Sequence, residues 1–268
     1  FGVLMKSAVP PHRITTLFLR PIYNKLYPVP LKRETAPRAS SNSLLVFMQT
    51  FSDTVSSTDV SVLDAGHSVK IPSLTVRRAK RAFDIVGALF SLLLFSPLLL
   101  IIVVLQLLTS GKPVFFRQER IGKGGRPFLV LKFRTMRPDA EENGPQLTQI
   151  GDTTRCTPIG GFLRRHRLDE LPQLWNVLVG DMSFVGYRPE RKFFIDQILA
   201  HDARYSLLYA MRPGITSEAA IYNGYTDTIE KMLRRLEMDL DYMQRASVGC
   251  DVSIIAQTFF SLLRSNLR

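Results

Sequence analysis

Cysteine is nearly absent. The 268 residues hold two, Cys156 and Cys250, at no recognisable metal-binding spacing, which excludes a cysteine-built metal site and leaves reduced thiols as the expected state. Acidic side chains are also short: 23 Asp and Glu face 35 Lys and Arg, a net charge of +12. That balance points to anionic partners, namely nucleic acid, anionic lipid or phosphorylated substrates, without choosing among them. No nucleic-acid recognition motif is present, so charge alone supports that class. Internal repeats are absent. The first thirty residues carry Pro10, Pro11, Pro21, Pro28 and Pro30, leaving no long apolar stretch for a secretory signal there. With 46% apolar and 22% charged residues, the chain is neither disordered throughout nor a multi-span membrane protein.

One absence is local. From Ile85 to Gly111 no residue is charged, and the run meets the length criterion for a membrane segment. A straight helix of this run would reach about 40 Å, enough to cross a bilayer. Ser96-Pro97 near its middle argues against a straight crossing, because proline removes a backbone donor and kinks a helix. Arg77, Arg78, Lys80 and Arg81 precede the run; Lys112, Arg117, Arg120, Lys123 and Arg126 follow it. Positive charge marks the cytoplasmic side, and here it marks both ends. A re-entrant helix that bends at Ser96 and Pro97 and returns to the same face satisfies both flanks. The Ser96 hydroxyl is a candidate partner for a backbone group freed at the bend.

After the run, Val114–Ile121 and Phe128–Met136 read as strands joined by the turn Gly122-Lys123-Gly124-Gly125-Arg126. Lys132 and Arg134, two apart on the second strand, are expected to project from one side as a phosphate-facing pair. Residues 139–156 read as a loop with Asn143-Gly144-Pro145 as its turn, and Pro158–Arg165 as a short helix. The densest chemistry lies at Arg164-Arg165-His166-Arg167-Leu168-Asp169-Glu170. Pro172 suits the start of a helix over Gln173–Val179 that Gly180 ends. Asp169 and Glu170 then precede a helix N-terminus, which favours carboxylates and also binds phosphate.

Phe193–Met211 and Thr228–Arg245 carry apolar residues at helical spacing. In the second, Ile229, Met232, Leu233, Leu236, Leu240 and Met243 form a stripe beside Lys231, Arg234 and Arg235, suited to a core or to a membrane interface. Asp251–Leu263 is apolar enough for either. Residues 31–75 are mixed: the polar stretches Arg38–Ser43 and Thr54–Thr58 read as linker, and Leu44–Phe51 is a short apolar run suited to a strand or an interfacial segment.

Read in order, Lys80-Arg81, Asp84, Ser96-Pro97, Gly111–Phe116, Gln118, Arg120, Gly122, Lys132–Met136, Leu168–Leu174, Gly180–Ser183, Arg188-Pro189-Glu190 and Arg212–Thr216 form a long motif set. Over residues 77–265 it resembles the bacterial sugar transferases, the monotopic polyprenyl-phosphate hexose-1-phosphate transferases. The resemblance implies an α+β, mainly helical fold. A re-entrant helix anchors it, and a β-hairpin and interfacial amphipathic helices surround the active site. Residues 1–75 are then an N-terminal extension or linker, 76–111 the basic flank and membrane helix, and 112–268 the catalytic domain.

The implied reaction moves a sugar 1-phosphate from a UDP-sugar to undecaprenyl phosphate at the cytoplasmic face of the bacterial inner membrane. UMP leaves, a covalent phosphosugar forms on Asp169, and magnesium is required. Asp169 and Glu170 are the implied catalytic and metal-binding pair. Arg164 and Arg188 are the first candidates for substrate phosphate, and Arg120, Lys132 and Arg134 the weaker ones. The arginines before Asp169 are expected to lower its pKa. The implied partners are the two substrates and anionic lipid, with no nucleic acid; a homodimer stays open. Tyr187 departs from the proline the family commonly has before Arg188-Pro189, so Arg188 is expected to sit on a looser turn. The rival function is a catalytically silent membrane-surface adaptor, which would have no need of the Asp169-Glu170 pair.

Overall fold

Apolar side chains without charge favour helix once their backbone groups must satisfy one another. The computed structural model, which describes residues 61–64, 67–137, 140, 155–224, 226 and 228–266, turns that run into one long helix, α1 (Leu74–Thr109). Ser73 caps its N-terminus by accepting the Val76 N–H. Pro97 lies inside it. Pro97 cannot donate to the Leu93 carbonyl four residues back, and the Ser96 hydroxyl donates to that carbonyl instead, at 2.8 Å. The expected partner at the proline is therefore the observed one.

α1 is long and apolar enough to cross a membrane, and only 11% of its most apolar stretch is buried against the described residues, unlike the mostly buried core helix of a soluble protein. Val86, Phe90, Leu93, Leu94, Leu100 and Ile101 are exposed. Both ends dock on the rest of the protein. Near the start, Arg81 donates to the Val177 and Leu178 carbonyls, and Asp84 accepts from Ser183 Oγ and the Phe184 N–H. Near the end, Ile102 packs with Phe133 and Leu163, and Gln106 donates to the Arg134 carbonyl.

The basic flank needs a correction. Lys80 and Arg81 are buried. Lys80 pairs with Asp251 and donates to the Val185 carbonyl at 2.8 Å. These two cations tie α1 to the protein and do not face lipid, so the N-terminal flank rests on Arg77 and Arg78.

A hairpin of β1 (Ser61–Asp64) and β2 (His67–Lys70) precedes α1, in part of the stretch read as linker. Ile71 is already part of the main core. After α1, β3 (Phe115–Ile121) pairs antiparallel with β4 (Pro127–Phe133) around the glycine-rich turn, as expected. Next come α2 (Gly160–Arg165), a 3-10 turn at Leu168–Glu170 and α3 (Gln173–Val179). Gly180, at φ 96°, ends α3 in the left-handed conformation that only glycine adopts freely. β5 (Ser183–Val185) pairs parallel with β6 (Gly214–Thr216). Gly186 passes so close to the Arg212 carbonyl that a Cβ would stand 2.4 Å from it.

The expected helix over 193–211 breaks at Asp202. α4 (Lys192–His201) stops there, and a 3-10 segment follows at Ala203–Ala210. Asp202 accepts the Arg204 N–H, an alternative to the helical hydrogen bond. After α5 (Glu218–Tyr222), α6 (Ile229–Arg245) buries Met232, Leu236, Leu240 and Met243 in the main core. Its stripe serves that core, not a membrane interface. α7 (Val248–Asn266) buries Asp251 and Ile254 and leaves Val252, Phe259 and Phe260 exposed. The Leu44–Phe51 run and the Asn143-Gly144-Pro145 turn lie outside the described residues.

Candidate active site

Asp169 sits in the 3-10 turn just before α3, and 8% of its surface is exposed. The residue before the turn, Arg167, has φ 53°, the single positive value among the described non-glycine residues. Two elements fix the turn against the hairpin. Asn176 of α3 accepts the Leu131 N–H at 3.0 Å and donates to the Leu129 carbonyl at 2.8 Å, locking α3 to β4. Lys132, next along β4, donates to Glu170 Oε1 at 2.8 Å. Arg167 approaches the other Glu170 oxygen at 3.8 Å.

The two carboxyls titrate apart. Burial pushes Asp169 up to about 6, and neighbouring Glu170 adds to the push, against Lys132 and Arg164. For Glu170, burial is outweighed by Lys132, Arg188 and Arg167, which bring it down to about 2. Of the arginines before it, Arg164 acts on Asp169 in the expected direction, but desolvation wins, so the expected lowering is corrected to a rise. At neutral pH the site holds two carboxylates, and Asp169 is the more basic.

Among the expected site residues, the structure brings Asp169, Glu170, Lys132, Arg164 and Arg188 into one electrostatic cluster. Arg120 stands behind it, donating to the Pro189 carbonyl, to Glu190 and to Gln118. Arg134 is elsewhere. It is buried, and its guanidinium donates to the Lys112 carbonyl at 3.2 Å and the Gly111 carbonyl at 2.9 Å. It closes the end of α1, whereas Lys132 faces Glu170.

Carboxylate oxygens suit magnesium. Among the described residues no group of three or more His, Cys, Asp or Glu could hold a metal. Magnesium does not require one, since it is commonly held by one or two carboxylates together with substrate phosphates. Glu170 Oε1 is taken by Lys132, and Oε2, with Arg167 at 3.8 Å, and the Asp169 carboxylate are the oxygen donors that remain. The residues fit that mode of binding.

The family described as bacterial sugar transferase matches residues 75–265. This chain belongs to that family. It is 42% identical over 200 residues to a UDP-glucose:undecaprenyl-phosphate glucose-1-phosphate transferase of Caulobacter vibrioides, covering 73% of this chain and 74% of that protein. The like-named Escherichia coli protein is 46% identical over 187 residues, covering 69% of this chain and 40% of its own length. A UDP-N-acetylgalactosamine-undecaprenyl-phosphate N-acetylgalactosaminephosphotransferase of Aeromonas hydrophila is 40% identical over 193 residues, 72% and 45% of the two chains. This chain thus spans less than half of two of these relatives.

In this chain Tyr187 is a packed core residue, 2% exposed. Its carbonyl accepts the Gly214 N–H at 2.9 Å. The turn before Arg188 is therefore held by β6 and the core without the proline. Three residues that sequence reasoning passed over surround Arg188. Glu190 approaches Arg188 Nε at 3.6 Å and accepts from Arg235 at 2.8 Å. The buried Asp239 accepts the Arg188 backbone N–H. Glu190 stood in a recognised motif but carried no role; Arg235 and Asp239 gave no signal beyond lying on an amphipathic helix.

Proposed function

We propose that this chain transfers a sugar 1-phosphate from a UDP-sugar to undecaprenyl phosphate, through a covalent intermediate on Asp169. The observation that carries the proposal is a buried, relatively basic carboxylate beside Glu170 and within the field of Lys132, Arg164 and Arg188. An Asp169 oxygen attacks the phosphorus that bears the sugar, the bond to the uridine-side phosphate oxygen breaks, and UMP leaves. An undecaprenyl phosphate oxygen then attacks the same phosphorus and releases the Asp169 carboxylate. Splitting the transfer into two displacements makes each easier. The cations offset repulsion between a carboxylate and an approaching phosphate. Magnesium, held by Asp169 or Glu170, would supply further neutralisation of the diphosphate.

The names of the relatives support this reading, since they specify undecaprenyl phosphate and either UDP-glucose or UDP-N-acetylgalactosamine. They leave the donor sugar unassigned. The acceptor lives in the bilayer, and α1 accounts for the protein's presence there. Cations at both ends of α1 and the docking of both ends on one body support a re-entrant helix with the catalytic body at the cytoplasmic face of the inner membrane.

The test is UMP release by detergent-solubilised protein with magnesium and undecaprenyl phosphate across a panel of UDP-sugars, with Asp169→Asn in parallel. Release with one donor, abolished in the variant, is expected. Equal release in the variant would remove Asp169 as nucleophile. No release by folded protein with any donor would leave the silent adaptor.

A further inference from the structure

α6 lies outside the motifs that identify the family, yet it touches the Arg188-Pro189-Glu190 segment twice. Arg235 and Asp239 are one helical turn apart, so both face the same neighbour. Arg235 donates to the Glu190 carboxylate at 2.8 Å, and Asp239 accepts the Arg188 backbone N–H. Both residues are at least nine-tenths buried. Glu190 meets three guanidinium groups at once: Arg235 at 2.8 Å, Arg120 at 3.3 Å and Arg188 at 3.6 Å. Arg188 is the most exposed of the three, with 39% of its side chain accessible, and its charge acts on Glu170.

Buried charge is costly, and replacing a buried ion pair by packed apolar groups is often neutral or stabilising. Stability alone is thus a poor reason for burying Arg235 against the partly buried Glu190, with Asp239 alongside. What they achieve together is directional. One point of α6 fixes the backbone of Arg188 and the other fixes the carboxylate that orients its side chain.

We propose that Arg235 and Asp239 form a two-point clamp, acting through Glu190 and the Arg188 backbone, that positions the Arg188 guanidinium for the diphosphate of the nucleotide-sugar donor. The clamp rests on the proposed function. Arg235, Asp239 and Glu190 are positioning residues; Arg188 touches the substrate. A bidentate guanidinium contact depends on orientation as well as charge, so loosening it weakens donor binding.

The experiment is a double-mutant cycle on detergent-solubilised protein, read as UMP release against UDP-sugar concentration at fixed undecaprenyl phosphate. Arg235→Met removes the hook on Glu190 and keeps an apolar stem of similar length. It is expected to raise the donor KM about tenfold while kcat changes much less. Arg188→Gln combined with Arg235→Met should lose no more than Arg188→Gln alone, because Arg235 acts through Arg188. A merely structural Arg235 would give multiplying losses, with activity following the folded fraction and KM unmoved; that result overturns the clamp. Should Arg235→Met fail to fold, Glu190→Gln, which keeps the shape, is read in the same cycle against Arg188→Gln. A wild-type protein that releases no UMP would overturn the proposed function and the clamp with it. Wild-type turnover with additive variants would overturn the clamp alone.

Discussion

Lys132 is the group through which the site's acid–base state can be moved. It holds Glu170 directly, and among the charges that lower the Asp169 pKa it is the largest. Lys132→Gln keeps a long polar side chain and removes the charge. At an effective dielectric of about 20, a unit charge a few ångströms away is worth on the order of 3 kcal/mol, or about two pK steps. Asp169, at about 6 in the native protein, would then titrate near ~8. Glu170 starts from about 2 and stays ionised at pH 7 after a shift of that size, so Asp169 is the group that reports.

The nucleophile must be ionised, so losing the cation moves the acid limb of the rate profile to higher pH. At pH 7 the ionised fraction of Asp169 falls from about nine-tenths to about one-tenth. The assay is kcat/KM for UMP release between pH 5 and 9. The wild type should half-rise near 6, the variant near 8, and the two should converge towards pH 9. A variant equally depressed at every pH, with its midpoint unmoved, would refute the argument. Lys132 would then serve the substrate phosphate and not the state of Asp169.

Asp169→Asn should abolish turnover yet stabilise the fold. Burial raises this carboxyl from 3.8 to about 6, so its ionisation costs the folded state on the order of 3 kcal/mol at pH 7. The cost is absent below the unfolded pKa, grows as pH rises between the two values and is complete above the folded one. The gain in Tm over wild type should therefore be clear at pH 7 and small at pH 4; a lower Tm at pH 7 would contradict it. Lys80→Met strips a partner from the fully buried Asp251, a change that typically costs about 3–5 kcal/mol. Denaturant unfolding would show it, and a loss below 1 kcal/mol would mean that Tyr242, which also donates to Asp251, suffices. For the membrane helix, Arg78→Cys and Lys112→Cys should both react with an impermeant thiol reagent from the cytoplasmic side alone. Reaction from opposite sides would replace the re-entrant reading with a crossing.

The sequence was most legible where chemistry is local. Pro172 and Gly180 delimit α3 because ring closure and positive φ act within one or two residues. The glycines of the hairpin turn and the Ser96 hydroxyl beside Pro97 are local in the same sense. Legibility fell where a side chain's role depends on a distant partner. Lys132 and Arg134 are two positions apart and chemically alike, yet one faces Glu170 and the other closes the end of α1. Lys80 and Arg81 looked like a surface flank because nothing nearby shows that Asp251 and the α3 carbonyls await them. Desolvation of Asp169 was hidden for the same reason. Burial is a property of the assembled body, and it outweighed Lys132 and Arg164, which the sequence does display.

These distant partners also show how α1 can bear on the proposed nucleophile. The Asp169 turn leads directly into α3, a helix of under two turns. Arg81 of α1 grips the carbonyls of Val177 and Leu178 at the C-terminal end of α3, and Arg212 holds the Gly180 carbonyl at 2.9 Å. At the other end Lys132 holds Glu170. A short helix fastened at both ends ties the position of Asp169 to that of α1. With α1 inserted as proposed, the depth of α1 sets the height of Asp169 above the hydrocarbon core. An acceptor phosphate confined to headgroup depth can be met only at one height. On the proposed reaction, the buried charges at the foot of α1 would then bear on catalysis without touching either substrate.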